Sequence, residues 1–288
     1  MIPYSELMAL PPRENVTSHT ERDTILYALG VGAAAQGPTD WAELPFVYED
    51  GLRALPTLPL VLGYPGFFLK EPRYQVDWAK VLHGEQRLTL HRPVPTAATI
   101  RSVMTIDEVY DKGAEKGALL YSTRKIYDEA TGDLIATLGS TSFMRGDGGC
   151  GGCTNAVPAP HAIPERVPDR VRDLPTRIDQ ALLYRLSGDM NPLHVDPAVA
   201  LSAGFNRPIL HGMCTYGVVG RAILKELCEN DPSRFRQFDA RFSSPVFPGE
   251  TIRTEMWIDR PGQASIRVRV VERDIVVLNN GFAVFGDD

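Results

Sequence analysis

Apolar and polar residues alternate along four segments of the chain, with the period of two that is typical of half-buried β-strands. One pair of segments covers Ala118 to Tyr127 and Leu134 to Phe143, and a second pair covers Ala264 to Glu272 and Ile275 to Phe285. The two pairs predict antiparallel strands in an α+β protein, and not a parallel series of β-α-β units.

One longer apolar stretch, Met213 to Leu227, has the spacing of a buried helix and follows directly after Gly212. An apolar stretch in the first half, Leu60 to Phe68, contains two glycines and a proline. Each interior glycine costs a helix ~1 kcal/mol and a proline costs ~3 kcal/mol, so a long helix is predicted only in the second half.

The chain contains an internal repeat. His91 to Asp107 aligns without gaps to Ser243 to Asp259, and eight aligned positions are identical. Between the two copies lies a segment rich in glycine and proline, which is typical of a linker. We therefore predict an N-terminal half over residues 1–147, a linker over 148–175 and a C-terminal half over 176–288.

The linker contains a Cys-x-x-Cys sequence, formed by Cys150 and Cys153 within a run of glycines. No second cysteine pair or nearby histidine completes a zinc site, so a flexible connection is the favoured interpretation. An adventitious metal site or a redox-labile pair is the alternative. Cys214 and Cys228 lie in the apolar helical stretch and are predicted to be core residues.

Composition excludes some classes of partner. The 288 residues are 43% hydrophobic and carry a formal net charge of −6, as expected for a globular protein that binds neither nucleic acid nor an anionic membrane. The sequence shows no basic leader with an apolar core, no transmembrane stretch and no Ser-Lys-Leu ending. We expect a cytoplasmic location.

Candidate chemistry is concentrated in a short turn that contains Asp189, Asn191 and His194. An aspartate accepts hydrogen bonds, a histidine both donates and accepts, and an asparagine orients its neighbours without titrating, so the three can hold a water and move its proton. Gly188 and Pro192 favour a bend there. The same residues also suit an ordinary Asx turn and helix cap.

A second cluster, Arg207 to Met213, ends where the predicted helix begins. Free N–H groups at a helix start can stabilise an oxyanion, which makes the N–H of Gly212 a candidate donor. Together the two clusters resemble the signature of the MaoC-like (3R)-specific 2-enoyl-CoA hydratases, or hydratase 2 family, which includes the hydratase unit of the peroxisomal multifunctional enzymes. The similarity extends over almost the whole chain.

The resemblance implies a double hot-dog fold with two antiparallel sheets, each wrapping a helix, and with the N-terminal central helix shortened or lost. Loss of that helix would leave an apolar cavity, which we predict to be an acyl-chain tunnel; an apolar loop folded onto the core is the alternative. The first half repeats the catalytic segment only weakly, at Tyr27 to Gly32, where a glycine stands in place of the aspartate. We expect that half to be catalytically silent.

The activity implied by the resemblance is reversible syn addition of water to a trans-2-enoyl-CoA, giving the (3R)-3-hydroxyacyl-CoA. Asp189 and His194 would share the roles of base and acid, Asn191 would orient the water, and Gly212 would donate to the thioester oxygen. His211 would be structural. The reaction requires no metal and no cofactor, since coenzyme A is part of the substrate.

Family positions that contact the CoA thioester match His83 and Gly84, Lys112 in an Asp-Lys-Gly turn, and Phe242. A lysine suits a CoA phosphate. Each residue also has an ordinary structural explanation: a surface histidine, a solvated turn charge and a core aromatic residue.

Three other functions are weighed against hydration. A dehydratase acting on an acyl carrier protein would use the same residues. A hot-dog thioesterase would usually carry a carboxylate on the central helix, and none occurs from Gly212 to Leu224. A non-catalytic acyl-CoA binding protein would not need Asp189 and His194. A homodimer is possible.

Overall fold

The computed structural model describes residues 3–35, 37 and 40–286, and ten antiparallel strands form its framework. The strands are β1 (Arg13–His19), β2 (Val81–Leu90), β3 (Ala98–Asp111), β4 (Ala118–Asp128), β5 (Leu134–Met144), β6 (Arg170–Pro175), β7 (Phe235–Phe242), β8 (Thr251–Arg260), β9 (Gln263–Val270) and β10 (Ile275–Phe285). The alternating segments predicted from sequence correspond to β4, β5, β9 and β10, which confirms them. The outermost residues of both predicted halves lie outside the described ranges.

The helices are mostly short. The α-helices are α1 (Tyr4–Met8), α2 (Glu21–Gly30), α3 (Gln180–Tyr184), α4 (Pro197–Ser202) and α5 (Gly212–Leu227). Single 3-10 turns cover Leu44–Phe46, Leu58–Leu60, Phe68–Lys70, Pro72–Tyr74, Trp78–Lys80, Arg185–Ser187, Pro192–His194 and Pro232–Arg234. Among the described residues, no helix is both long enough and apolar enough to cross a membrane.

The strands follow one another in the order β1-β3-β4-β5-β2-β7-β10-β9-β8-β6. Each half of this order is a five-stranded antiparallel sheet, and the internal repeat places β3 and β8 at equivalent positions. The two predicted sheets are joined edge to edge, because β2 pairs with β7 from Glu85 opposite Arg241 to Thr89 opposite Gln237. The double hot-dog architecture is therefore built on one continuous sheet.

In the C-terminal half, α5 is the buried central helix that the apolar stretch predicted. Its side chains pack against β6, β7 and β8. Two of its glycines face the first half at close range: a Cβ on Gly217 would lie 2.5 Å from a methyl carbon of Val31, and one on Gly220 would lie 2.5 Å from the methyl carbon of Thr57. Both positions therefore need glycine for the two halves to pack together.

In the N-terminal half no α-helix occupies the place of α5 among the described residues 44–80, as predicted. The chain from Ala54 to Leu62 is instead buried in irregular form against the sheet. Arg124 on β4 compensates for the missing helical hydrogen bonds by donating to the carbonyl oxygens of Pro59, Leu60 and Leu62.

At both ends of residues 148–175 the structure differs from the predicted flexible linker. Its glycine run is not a free connection, because the carboxylate of Asp111 accepts hydrogen bonds from the N–H groups of Gly149 and Gly151 at 2.8 and 2.9 Å. All four cysteines are unpaired thiols. The last residues of the predicted linker form β6, which pairs with β8 and so belongs to the second sheet.

Candidate active site

The catalytic segment is a compact turn between α3 and α4. Gly188 has a φ of +120°, a backbone conformation that side chains other than glycine rarely adopt, and it ends the 3-10 turn that follows α3. One carboxylate oxygen of Asp189 accepts a hydrogen bond from the N–H of Asn191 at 3.2 Å. Asn191 in turn caps the next 3-10 turn by accepting from the N–H of Leu193 at 3.1 Å. The turn thus has the Asx and cap geometry considered from sequence, with the Asp189 side chain exposed to solvent.

His194 lies at the end of this turn with only 9% of its surface exposed. Its Nδ1 is 2.9 Å from the carbonyl oxygen of Ile209. A carbonyl can only accept, so Nδ1 carries the proton and the neutral ring presents a lone pair at Nε2. Burial lowers the pKa of His194, while the Ile209 hydrogen bond and the charge of Asp189 oppose that shift. A largely neutral imidazole with an open Nε2 can accept a proton from water.

His211 completes the cluster and is 1% exposed. Its ring stacks on that of His194 with 3.7 Å between centroids, and its Nε2 is 3.1 Å from the carbonyl oxygen of Asp189. Burial, reinforced by the neighbouring His194, lowers the pKa of His211 to about 4. From sequence this residue is predicted to be structural, and its contact with His194 could not be predicted, because the stack forms only when the chain folds.

The first residue of α5 borders the same cluster. Gly212 has no helical partner for its N–H, as is general for the first turn of a helix. A Cβ at this position would lie 3.1 Å from Cε1 of Phe242, so glycine permits the Phe242 ring to cover the helix start. The ring of His83 meets Phe242 edge-on at 5.1 Å between centroids. The fold therefore brings together Gly212, Phe242 and His83, three residues that were predicted separately.

His83 owes its position to a β-bulge. The register between β2 and β5 shifts between His83 and Glu85, and a Cβ on Gly84 would lie 3.1 Å from the carbonyl oxygen of Thr141. A bulge changes the direction of its side chains, which explains a glycine at position 84. Desolvation of the ring lowers the pKa of His83, although the residue as a whole is exposed.

Lys112 lies further from the turn, at the junction of β3 and β4. Its Nζ lies 5.4 Å from the centre of the Phe143 ring, and the guanidinium of Arg145 lies 5.7 Å from the same ring. Phe143 pairs with Leu82, the residue before His83, so both cations lie at the His83 end of the sheet. Arg145 was not predicted, although a basic residue two positions after the predicted segment Leu134 to Phe143, and directly after β5, could have indicated it.

Asp189, His194 and His211 offer side-chain atoms that all lie within 4.8 Å of one another, a spacing that also suits a metal ion. A zinc ion would need imidazole lone pairs that converge in the ring planes at ~2.0 Å. The two rings are stacked at an interplanar angle of 28°, so their in-plane lone pairs do not converge. The arrangement suits proton transfer better than metal binding.

Family models match both halves of the chain. Residues 160–280 match the model of the MaoC like domain, and residues 18–146 match that of the MFE-2 hydratase 2 N-terminal domain. The "3-hydroxyacyl-thioester dehydratase Y" of Mycobacterium tuberculosis is 42% identical over 91% of this chain and 91% of its own length. This chain belongs to the MaoC-like hydratase 2 family.

Two further similarities cover whole chains. The peroxisomal enoyl-CoA hydratase 2 of Arabidopsis thaliana is 38% identical over 94% of this chain and 92% of its own length. The crystal structure of a MaoC-like dehydratase from Phytophthora capsici superposes with a TM-score of 0.87 at 36% identity and covers 100% of both chains. The family assignment therefore applies to both halves of the molecule.

Among its described residues, the first half of this hydratase 2 fold has no turn that carries an aspartate and a histidine in this way. Helix α2 packs against α3, and a Cβ on Gly30 would lie 3.2 Å from the Cα of Tyr184. Gly32, which stands where the second half has Asp189, has a φ of +81°, and a Cβ there would lie 3.1 Å from Nη1 of Arg221. A side chain does not fit easily at position 32. That this half is catalytically silent stays a prediction.

Proposed function

We propose that this protein catalyses the reversible hydration of trans-2-enoyl-CoA to (3R)-3-hydroxyacyl-CoA. The observation that carries the proposal is the cluster of Asp189, His194 and His211, whose side-chain oxygen and ring nitrogens lie within 4.8 Å of one another, directly before Gly212 at the start of α5. The names of the relatives, enoyl-CoA hydratase 2 and 3-hydroxyacyl-thioester dehydratase, support the same chemistry.

In the hydration direction, the oxygen of a water held between Asp189 and His194 forms a bond to C3 of the enoyl group. The water gives up one proton to this pair, and the C2=C3 electrons shift toward the thioester carbonyl. The N–H of Gly212 stabilises the resulting negative charge on oxygen, a contact worth ~3 to 4 kcal/mol in comparable sites. The pair then protonates C2. Because the same pair of residues takes a proton from the water and delivers a proton to C2, both additions occur on the same face of the double bond.

The rest of the substrate would extend away from the turn in two directions. His83 and Phe242 border the thioester, while Lys112 and Arg145 provide charges for the phosphates of coenzyme A at the same end of the sheet. The acyl chain would enter the first half, where Ala54 to Leu62 replaces a central helix. Displacement of this irregular segment requires fewer broken hydrogen bonds than displacement of a helix would.

The direct test is a spectrophotometric assay of enoyl absorbance with trans-2-enoyl-CoA esters of several chain lengths. Chirality of the product is determined with (3R)- and (3S)-specific dehydrogenases. We expect loss of the enoyl chromophore with an exclusively (3R) product. Formation of the (3S) product, or release of free coenzyme A, would contradict the proposal.

Specificity for the carrier is the second question. The "thioester" in the mycobacterial relative's name leaves open a substrate on an acyl carrier protein. Lys112→Ala and Arg145→Ala should each raise KM for the CoA ester and leave kcat nearly unchanged, because the phosphates are remote from the reacting carbons. Turnover of the carrier-protein ester alone would favour the dehydratase alternative.

We further propose a homodimer that acts in fatty-acid β-oxidation in the cytoplasm, without a metal or a separate cofactor. Analytical ultracentrifugation tests the dimer, and microscopy of a tagged chain tests the location. The Arabidopsis relative is named peroxisomal, so a peroxisomal signal is the outcome that would replace the cytoplasmic proposal.

A further inference from the structure

We propose that His211 is a positioning residue that fixes the catalytic turn, the imidazole of His194 and the start of α5 relative to one another. This inference rests on the proposed hydratase function. His211 itself transfers no proton in the proposed mechanism, and it is buried in the core.

The first contact of His211 is with the turn. Its Nε2 is 3.1 Å from the carbonyl oxygen of Asp189, and because a carbonyl only accepts, Nε2 must carry the proton. This hydrogen bond joins the backbone that holds the exposed Asp189 carboxylate to a residue that is itself 1% exposed. An exposed turn is thereby attached to the rigid core.

The second contact is with His194. The two rings stack at 3.7 Å between centroids, and Tyr184 lies 5.0 Å from His211 between centroids. Rotation of the His194 ring would break both the stack and the hydrogen bond from Nδ1 to Ile209. The direction of the open Nε2 of His194 is therefore determined by two neighbours, a carbonyl group and the ring of His211.

The third contact is through the backbone. His211 is the N-cap residue of α5, and its carbonyl oxygen accepts the first helical hydrogen bond, from the N–H of Thr215 at 3.0 Å. The next residue is Gly212, the proposed oxyanion donor. His211 thus connects the proton-transfer groups to the Gly212 donor. The distance between those groups and the donor determines whether the water can attack C3 while the N–H of Gly212 stabilises the thioester oxygen.

The arrangement requires a neutral His211. Its Nδ1 is buried without a hydrogen-bond partner among the described residues, and a protonated Nδ1 would bury a charged N–H group with no acceptor. A second positive charge would also oppose protonation of the stacked His194 during the reaction. A neutral ring allows His194 to take up a proton and release it.

Two near-isosteric variants separate the contacts. His211→Gln keeps a side-chain N–H for the Asp189 carbonyl and removes the ring, whereas His211→Phe keeps a ring for stacking and removes the donor. Misplacement of a reacting group by ~1 Å costs about 100-fold in rate. We expect each variant to lose about 10-fold and His211→Ala about 100-fold in kcat. KM and the affinity for a saturated acyl-CoA should change less than about 3-fold.

His161 supplies the matched control. It is also a histidine that bonds through Nε2, to the hydroxyl of Ser265 at 2.7 Å, and it lies 5.0 Å from the ring of Phe282, but it is not part of the turn. His161→Gln and His161→Phe should leave kcat unchanged. An unchanged kcat in the His211 variants would overturn the inference. Parallel loss of acyl-CoA binding and kcat would also overturn it, because that result indicates a merely structural residue.

Nitrogen-15 NMR of the histidine rings gives a readout that does not depend on turnover. His194 should show a single Nδ1–H tautomer in the wild type and a mixture in His211→Gln. A wild type that shows this tautomer but hydrates no enoyl-CoA would refute the proposed function and leave the positioning role supported. The same tautomer in wild type and variant would refute the positioning role alone.

Discussion

The two halves of the molecule have equivalent five-stranded sheets but differ in what covers them. In the second half the regular helix α5 packs against the sheet. A capped turn next to the first residue of α5 carries Asp189 and His194. In the first half an irregular apolar segment covers the sheet, and Gly32 stands where Asp189 would be. The same duplicated framework therefore carries the candidate site in one copy and a buried, irregular apolar segment in the other.

From this difference we infer that the two copies have different roles in the enzyme. A helix start provides a fixed N–H donor only if the helix is continuous, and α5 is 16 residues long. An acyl chain needs space that a continuous helix would occupy. We therefore expect chemistry to depend on residues of the second half and acyl preference on residues of the first half, and the predictions below test that division.

The largest effect is expected from His194→Gln, which removes the proton acceptor at Nε2. General acid–base groups contribute about 10²- to 10⁴-fold, so kcat should fall within that range. His91 in the first half is the control, because it is an exposed histidine that bonds to the hydroxyl of Thr137 at 2.9 Å. His91→Gln should retain full activity, and an equal loss in both variants would contradict the proposed division.

Leu62 and Leu227 give a matched pair of core truncations, since each is 7% exposed and they lie in opposite halves. Either change to alanine should lower the free energy of unfolding by about 2 to 5 kcal/mol. Only Leu62→Ala should shift the preference toward longer or bulkier acyl chains, because it enlarges the proposed acyl path. Chain-length profiles that are identical for both variants would exclude the tunnel and favour an apolar loop packed on the core.

Each half contains a buried arginine that stabilises the element covering its sheet, and the two can be compared by substitution. Arg221 on α5 pairs with Glu43 at 2.6 Å, whereas Arg124 donates hydrogen bonds to backbone carbonyls of the irregular segment. Arg221→Met should cost about 3 kcal/mol, the lower end for a broken buried pair, because Lys225 still lies 3.3 Å from Glu43. Arg124→Met should cost about 1 to 3 kcal/mol, as expected for carbonyls left without a donor.

Urea unfolding measures both losses of stability. Arg124→Met should also change the acyl profile, because it releases the segment from Pro59 to Leu62, while Arg221→Met should not. The reverse pattern would mean that α5, and not the irregular segment, determines acyl preference.

The smallest effect is expected in the pH dependence. Burial lowers the pKa of His194 below its ordinary value of 6.5, so the ring stays neutral as the pH falls to that value. Protonation at lower pH removes the lone pair at Nε2, and kcat/KM should decline only on the acid side of pH 6.5. A decline as the pH rises, with the activity retained on the acid side, would show that His194 acts in its protonated form.

Much of this architecture follows from local sequence patterns. The period-two segments predict β4, β5, β9 and β10, because a strand that buries one face alternates apolar and polar residues. The apolar stretch predicts α5, because its apolar positions have the spacing of a buried helix. Gly188 and Pro192 predict the bend of the catalytic turn for a similarly local reason. In the stretch near Leu60, two glycines and a proline make a helix unfavourable, so the sequence predicts that the first half has no long central helix.

The features that sequence did not predict depend on contacts between distant residues. Strand β6 is an exposed edge strand with no alternation of buried positions, so it resembled a linker. The glycine run is held by Asp111, 38 residues earlier in the case of Gly149. The stack of His211 on His194 arises only when the C-terminal half folds, and the junction of β2 with β7 forms only when the two halves come together.

The central claim is that one turn of the second half performs the chemistry while substrate binding depends on other parts of the fold. Asp189→Asn tests it most directly, because Asn keeps an oxygen for the N–H of Asn191 but cannot hold a transferable proton. The decisive measurement compares kcat for enoyl-CoA hydration with the affinity for a saturated acyl-CoA in this variant. We predict a loss of at least about 10²-fold in kcat with nearly unchanged affinity. Hydration at the wild-type rate would contradict the account.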